Sequence, residues 1–290
     1  EYRLYVPFIA RVQRSLGRRG LLFVGDCKIA AHAARAFVTL AGDYYLCPLP
    51  QVQLAEGELA VALERVWSGD QALLSVVREQ EQGEPKLIAQ GYAYEVPMRV
   101  EAEGKPREWS ERRLVVRSVR HAEAAEAALR ARVAKAKAQV EALNRCGRGR
   151  RRFEEIATLR EAVNDIVQRH HLEDFLWLRY DHHITTRPMR AYKDRPAYMK
   201  EERHATVEVR VDEEALESAV RRLGWRIYST NQPVEQLSLE QAVLAYRSEY
   251  LVERSLGRLK GRPLSLRPMY VQRDDHATGL IGCYRLRCGS

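Results

Sequence analysis

Apolar positions recur along the chain with two periods, and the switches between them outline its elements. Tyr5, Phe8, Ile9, Val12 and Leu16 fall at helical spacing and predict an amphipathic helix. After Gly17-Arg18-Arg19-Gly20, the short apolar run Leu21-Leu22-Phe23-Val24 stops at Gly25-Asp26, as a buried strand ending in a turn does. Asp26 is thereby expected at a strand's carboxyl tip. The Ala-rich stretch Ile29 to Leu40 predicts a helix closed by Gly42-Asp43, and Tyr44-Tyr45-Leu46-Cys47 a second strand ended by Pro48 and Pro50. Strand, helix, strand is the opening of an α/β unit.

Between about Gln51 and Ala205 the pattern becomes charge-rich. Two alternating segments, Leu87 to Val100 and Trp109 to Val119, read as an antiparallel pair. From His121 to Leu143 the apolar residues Leu129, Val133, Ala136, Val140 and Leu143 form one narrow helical seam. The basic run from Cys146-Gly147 through Arg152 interrupts it, and Phe153, Ile156, Leu159, Val163 and Ile166 resume the spacing, which predicts a helical hairpin. The seam reads as the hairpin's own core rather than a dimer zipper. Beyond it, Thr206 to Val211 alternates as a strand, Asp212 to Leu223 reads as a helix closed by Gly224, and Trp225 to Ser229 as a strand ending in Thr230-Asn231-Gln232-Pro233. Ser238 with Gln241 makes a capping box for a last helix free of Gly and Pro until Gly257, and extending through it to Lys260.

With 290 residues and 46% hydrophobic content, the chain is long enough to bury a core. Forty-eight Lys and Arg against thirty-nine Asp and Glu leave a net charge of +9, which favours an anionic partner, nucleic acid or an acidic membrane surface. The apolar runs are too short to span a bilayer and the first thirty residues lack a signal pattern, so the expectation is a soluble, cytoplasmic protein with no membrane role. Five cysteines without a Cys-x-x-Cys pair indicate reduced thiols rather than disulfides or a zinc finger. The pairs His170-His171 and His182-His183, the latter beside Asp181, read as solvated residues of a charged loop rather than metal ligands.

Candidate chemistry sits on the last predicted helix. Tyr246, Glu249, Glu253 and Lys260 are spaced by 3, 4 and 7 and share one polar stripe, while Leu244, Leu251, Ser255 and Leu259 centre on another side suited to packing on a sheet. Alone, the stripe reads as a solvated charged face; its surroundings change that reading. A Gly-Asp at a strand tip upstream, a strand ending in Thr-Asn, a β-containing insertion between, and Tyr246 through Arg273 with Leu259-Lys260-Gly261-Arg262-Pro263-Leu264 together resemble the bacterial insertion-sequence DDE transposases that carry a Tyr-Arg-Glu-Lys signature. Val24-Gly25-Asp26-Cys27-Lys28 and Asp43 through Leu49 belong to the same resemblance.

That resemblance implies an α/β, RNase H-like fold interrupted by an inserted β-strand plus helical-hairpin module. Residues 1–50 and 206–282 are then the two parts of the catalytic domain, 51–205 the insertion module and 283–290 an atypical tail. It also implies Mg²⁺ (or Mn²⁺) held by Asp26 and Glu253 as catalytic carboxylates, with Tyr246 and Lys260 on the DNA backbone beside the cut. Arg148, Arg150, Arg151 and Arg152 at the hairpin tip are a further candidate DNA contact. The expected partners are double-stranded DNA, as transposon ends and target, and a second copy of the chain on that DNA.

Glu249 stands where the family signature has Arg, and none of the residues before Asp26 is Asp, although the family's first catalytic Asp lies on an upstream strand. The expectation is a truncated transposase that cuts only when that strand is restored. The alternatives are an inactive remnant that binds DNA or a related transposase, and a helical-hairpin interaction module.

Overall fold

The computed structural model of the chain describes residues 5–79, 83–102, 105–145, 152–190 and 197–248. Glu253, Lys260, Arg148, Arg150 and Arg151 lie outside the described residues, as does the predicted tail.

Mixed α/β architecture follows the pattern of the sequence. The elements come in the order α1 (Tyr5–Leu16), β1 (Leu22–Val24), α2 (His32–Leu40), β2 (Tyr44–Pro48), α3 (Glu58–Trp67), β3 (Leu74–Arg78), β4 (Lys86–Ala102) and β5 (Lys105–Ser118). They continue with α4 (Val119–Leu143), α5 (Ile156–His170), β6 (Leu176–Met189), β7 (Tyr198–Val211), α6 (Glu213–Arg221), β8 (Trp225–Thr230) and α7 (Leu239–Arg247). Six strands form one sheet in the order β1-β2-β8-β5-β4-β3, with β1 parallel to β2 and every other neighbour antiparallel.

Strands from within residues 51–205 therefore hydrogen-bond in the same sheet as those from the flanking segments. β8 pairs with β2 on one side (Leu46 opposite Thr230) and with β5 on the other (Arg112 opposite Thr230). Alternation along the strands divides the core. Tyr45, Cys47, Tyr92, Val115 and Ile227 face α1, α2 and α3, whereas Leu46, Ala89, Leu114 and Val116 face α7. Each fully buried Leu, Ile or Val side chain among them contributes about 1.5–3 kcal/mol.

The predicted helical seam is the core of a second cluster, where Leu129, Val133, Ala136 and Val140 of α4 meet Leu159, Val163 and Ile166 of α5. The two-stranded antiparallel sheet β6-β7 and Leu216 and Val220 of α6 complete that cluster. Its end abuts the main sheet closely. Gly224 adopts φ +82°, and a Cβ there would come within 2.6 Å of Ala122 Cβ on α4, so a side chain is excluded on both counts.

Several elements depart from the expected pattern. Asp181-His182-His183 lies inside strand β6 rather than in a loop, because Leu176, Leu178 and Tyr180 continue a period of two into it. Between β2 and β4, α3 and β3 are elements absent from the sequence expectation; Ala62 and Leu63 of α3 are buried, and Leu59 and Val66 pack against the same cluster.

Candidate functional site

Asp26 follows the end of β1, where Gly25 N–H donates to Leu46 O and keeps the chain on the edge of β2 for one step beyond Val24. Its carboxylate is oriented locally. Oδ1 accepts the Lys28 backbone N–H at 2.9 Å and the Tyr5 hydroxyl of α1 at 3.2 Å. The Tyr5 hydroxyl is held above the usual tyrosine range by partial burial first and then by the negative charge of Asp26. Asp43, the other acid of this region, is a structural group. Its Oδ2 accepts Gln13 Nε2 at 2.6 Å and Oδ1 accepts Leu21 N–H at 2.9 Å, tying α1 to the mouth of β1.

α7 begins at the expected capping box, Ser238 with Gln241. Its packing face is broader than the one read off the sequence. Leu239, Ala242 and Val243 are buried, and Tyr246 follows on the same side, its ring edge-on to Tyr228 of β8 at 4.8 Å between centroids. Leu244 is partly buried against the same cluster. Tyr246 is thus a packing residue in the described part of the helix, because the i, i+3, i+4 relation to Ala242 and Val243 outweighs the polarity of its hydroxyl.

Between α7, the start of α4 and the sheet lies a cavity of about 340 Å³. Leu46, Leu114 and Val116 line it together with both tyrosines, and His121, Arg226 and Arg247 add polar groups. Arg247 Nη2 donates to Ile88 O at 2.8 Å and Ser118 Oγ at 3.1 Å, and burial lowers its pKa from the usual guanidinium value.

A buried charge cluster lies on the opposite face of the sheet. Glu111, fully buried, accepts from Arg35 Nη1 and from the Tyr45 hydroxyl through Oε2. Arg113 Nη2 stands 2.9 Å from Glu111 Oε1 as an ion contact that lacks hydrogen-bond alignment. Trp109 Nε1 donates to Tyr45 OH at 3.2 Å, and Tyr94 OH to Glu58 Oε1 at 2.7 Å. Sequence reading missed this cluster. Its signals were a lone Arg35 in an Ala-rich helix and Glu111-Arg112-Arg113 running directly into Leu114-Val115-Val116.

Of the four arginines expected on DNA, Arg152 falls among the described residues, and its Nη1 pairs with Glu202 Oε2 at 3.0 Å. That bond, with the Arg152 charge, lowers the Glu202 pKa. The histidine pairs behave as ordinary polar residues. His170 Nε2 hydrogen-bonds Gln139 Oε1 at 3.0 Å and His182 Nε2 the Glu154 carbonyl at 3.0 Å. Among the described residues no three His, Cys, Asp or Glu side chains converge as ligands of one metal ion. Among the same residues no helix is long and apolar enough to cross a membrane. No family model matches the chain, and neither a curated protein nor a solved structure does.

Proposed function

We propose that this chain is the catalytic part of a DDE transposase with an RNase H-like fold, acting on transposon-end DNA with Mg²⁺ or Mn²⁺ and working as a homodimer on that DNA. The observation that supports it is one of order and direction. Asp26 follows the carboxyl end of a strand, and α7 crosses the same sheet in the sense of β1 and β2. The α7 direction is given by its ends: Arg112, opposite Thr230, donates to Leu237 O just before α7, whereas Arg247 at its far end reaches Ser118, which pairs with Gly224.

Glu253 follows α7 in sequence and would supply the second carboxylate, with Lys260 on the phosphate backbone. When bound, the metal would supply hydroxide at neutral pH and steady the leaving oxygen of phosphoryl transfer. The chain's own part is orientation. The Lys28 N–H and the Tyr5 hydroxyl fix the Asp26 carboxylate through Oδ1, which limits the rotamers it can adopt.

The test is strand cleavage of duplex DNA bearing transposon-end sequence, by the chain extended upstream through the Asp-bearing strand that the resemblance implies. The reading predicts nicks with Mg²⁺ or Mn²⁺ that Asp26→Asn or Glu253→Gln reduces on the order of a thousandfold. Binding without cleavage in a folded protein would favour the DNA-binding remnant instead.

A further inference from the structure

The β6-β7 ribbon is longer than its packing requires. Fourteen residues of each strand pair without interruption from Leu176 opposite Val211 to Met189 opposite Tyr198. Only the near half is seated. Ala205, Val207 and Val209 are buried against α4 and α5, and Asn144 brackets Val207, donating to its carbonyl at 2.7 Å and accepting its N–H at 2.8 Å. From His182 opposite Ala205 outward, no described ribbon residue beyond Ala205 is buried. Seven register steps at about 3.4 Å make that free length about 24 Å.

The surface of the free half is not that of an inert loop. Ile184, Tyr198 and Met199 are 58%, 52% and 60% exposed. Arg187 stands directly opposite Lys200 on the same face, a like-charge pair that weakens an isolated ribbon. Exposed Arg190 follows at the same end. The nearby acids are already matched: Glu202 by Arg152 at 3.0 Å and Lys200 at 3.5 Å, and Glu201 by Arg203 at 4.0 Å. Among the described residues Arg187 and Arg190 therefore remain as unmatched positive charge beside apolar side chains, with Lys200 shared between them and Glu202.

We infer, on the reading of this chain as a DNA-acting protein, that the free half of the β6-β7 ribbon enters the major groove of duplex DNA. A two-stranded ribbon matches the width of that groove. Arg187, Arg190 and Lys200 meet phosphates flanking it, and the anions relieve the Arg187–Lys200 repulsion. A second copy of the chain is the poorer occupant, because it would bring an identical cationic end rather than an anion.

The experiment is a salt titration of the intact chain with a fluorescent duplex of arbitrary sequence, comparing the unchanged protein with a double variant, Arg187→Glu with Lys200→Glu. A control double variant, Arg130→Glu with Lys137→Glu, changes exposed cations on α4, away from the free half of the ribbon. Both variants alter exposed side chains, and thermal melting checks that each remains folded. The ribbon variant is expected to bind at least tenfold more weakly at low salt, with the log-log salt slope reduced by about 2, and the control to change neither. An unchanged slope and affinity in the ribbon variant, while the parent binds DNA, would overturn the ribbon assignment and leave the DNA reading intact. A parent chain that ignores DNA at low salt would overturn both. A ribbon variant that loses self-association in sedimentation, with DNA binding unaffected, would assign the ribbon to a second copy instead.

Discussion

Asn231 is joined to Tyr45 across 186 positions of sequence, its Oδ1 accepting the Tyr45 N–H at 3.0 Å. The backbone pairing of β2 with β8 has its last pair at Leu46 and Thr230, and the Asn231 side chain continues the ladder one step further. Its Nδ2 donates to Thr39 Oγ1 and to the Asp43 carbonyl, each at 3.0 Å, so one amide closes the end of α2, the start of β2 and the end of β8.

Replacing Asn231 by Ala removes three hydrogen bonds and strands the Tyr45 N–H in the protein interior. The expected cost is about 2–4 kcal/mol, from the net worth of such bonds and the desolvation of an unpaired donor. Urea unfolding at neutral pH measures it. Asn231→Asp keeps the acceptor, loses the donors and sets a carboxylate against the Asp43 carbonyl, so it is expected to be no better than Ala.

Glu111 is the anion of a fully enclosed cluster, and removing its charge leaves Arg35 buried without a counter-ion and Arg113 with Glu58 alone, at 3.8 Å. Glu111→Gln is expected to destabilise the fold by about 3–5 kcal/mol, the range for breaking one side of a buried pair. Equilibrium unfolding of the single variant checks this, and a loss below about 1 kcal/mol would mean that the arginines reach water when Glu111 is gone.

Tyr45 supplies a pH dependence from the same cluster. Burial above all, and next the negative charge of Glu111, push its hydroxyl far above the tyrosine value of about 10. In the unfolded chain it ionises near 10, so between that pH and the folded value the native state holds the extra proton. Its stabilisation is complete below about pH 10 and is lost as pH rises further, by up to about 1.4 kcal/mol per pH unit. Unfolding midpoints between pH 9 and 11 should therefore fall, and fall less steeply in Tyr45→Phe.

Much of the scaffold was legible because its signals are local. Leu21 to Val24 before Gly25-Asp26, the seam from Leu129 to Leu143, and Ser238 with Gln241 each state an element and a boundary by short-range chemistry. The length of the β6-β7 ribbon was hidden, since its outer half buries nothing on either face and so carries no alternation. The packing of the Tyr246 ring was hidden for a different reason. A stripe drawn through Tyr246, Glu249 and Glu253 treats the tyrosine as polar, whereas its ring area makes it a partner for Tyr228. Glu111 was invisible because burial of a carboxylate depends on Arg35, 76 residues earlier in the chain. Asp26 was located correctly at a strand end, and its anchoring by Tyr5 arises from a helix whose docking no local pattern specifies.

The central claim is that Asp26 and Glu253 bind one metal site, and the most direct measurement is Mn²⁺ titration of the chain followed by paramagnetic resonance. A shared site predicts that Asp26→Asn and Glu253→Gln each weaken the tightest class of Mn²⁺ binding by about tenfold or more, and that the double variant loses less than the sum of the two, as residues on one ion must. Additive or absent effects, with both variants still folded, would contradict a shared site and with it the assignment of Asp26 and Glu253 as the catalytic pair.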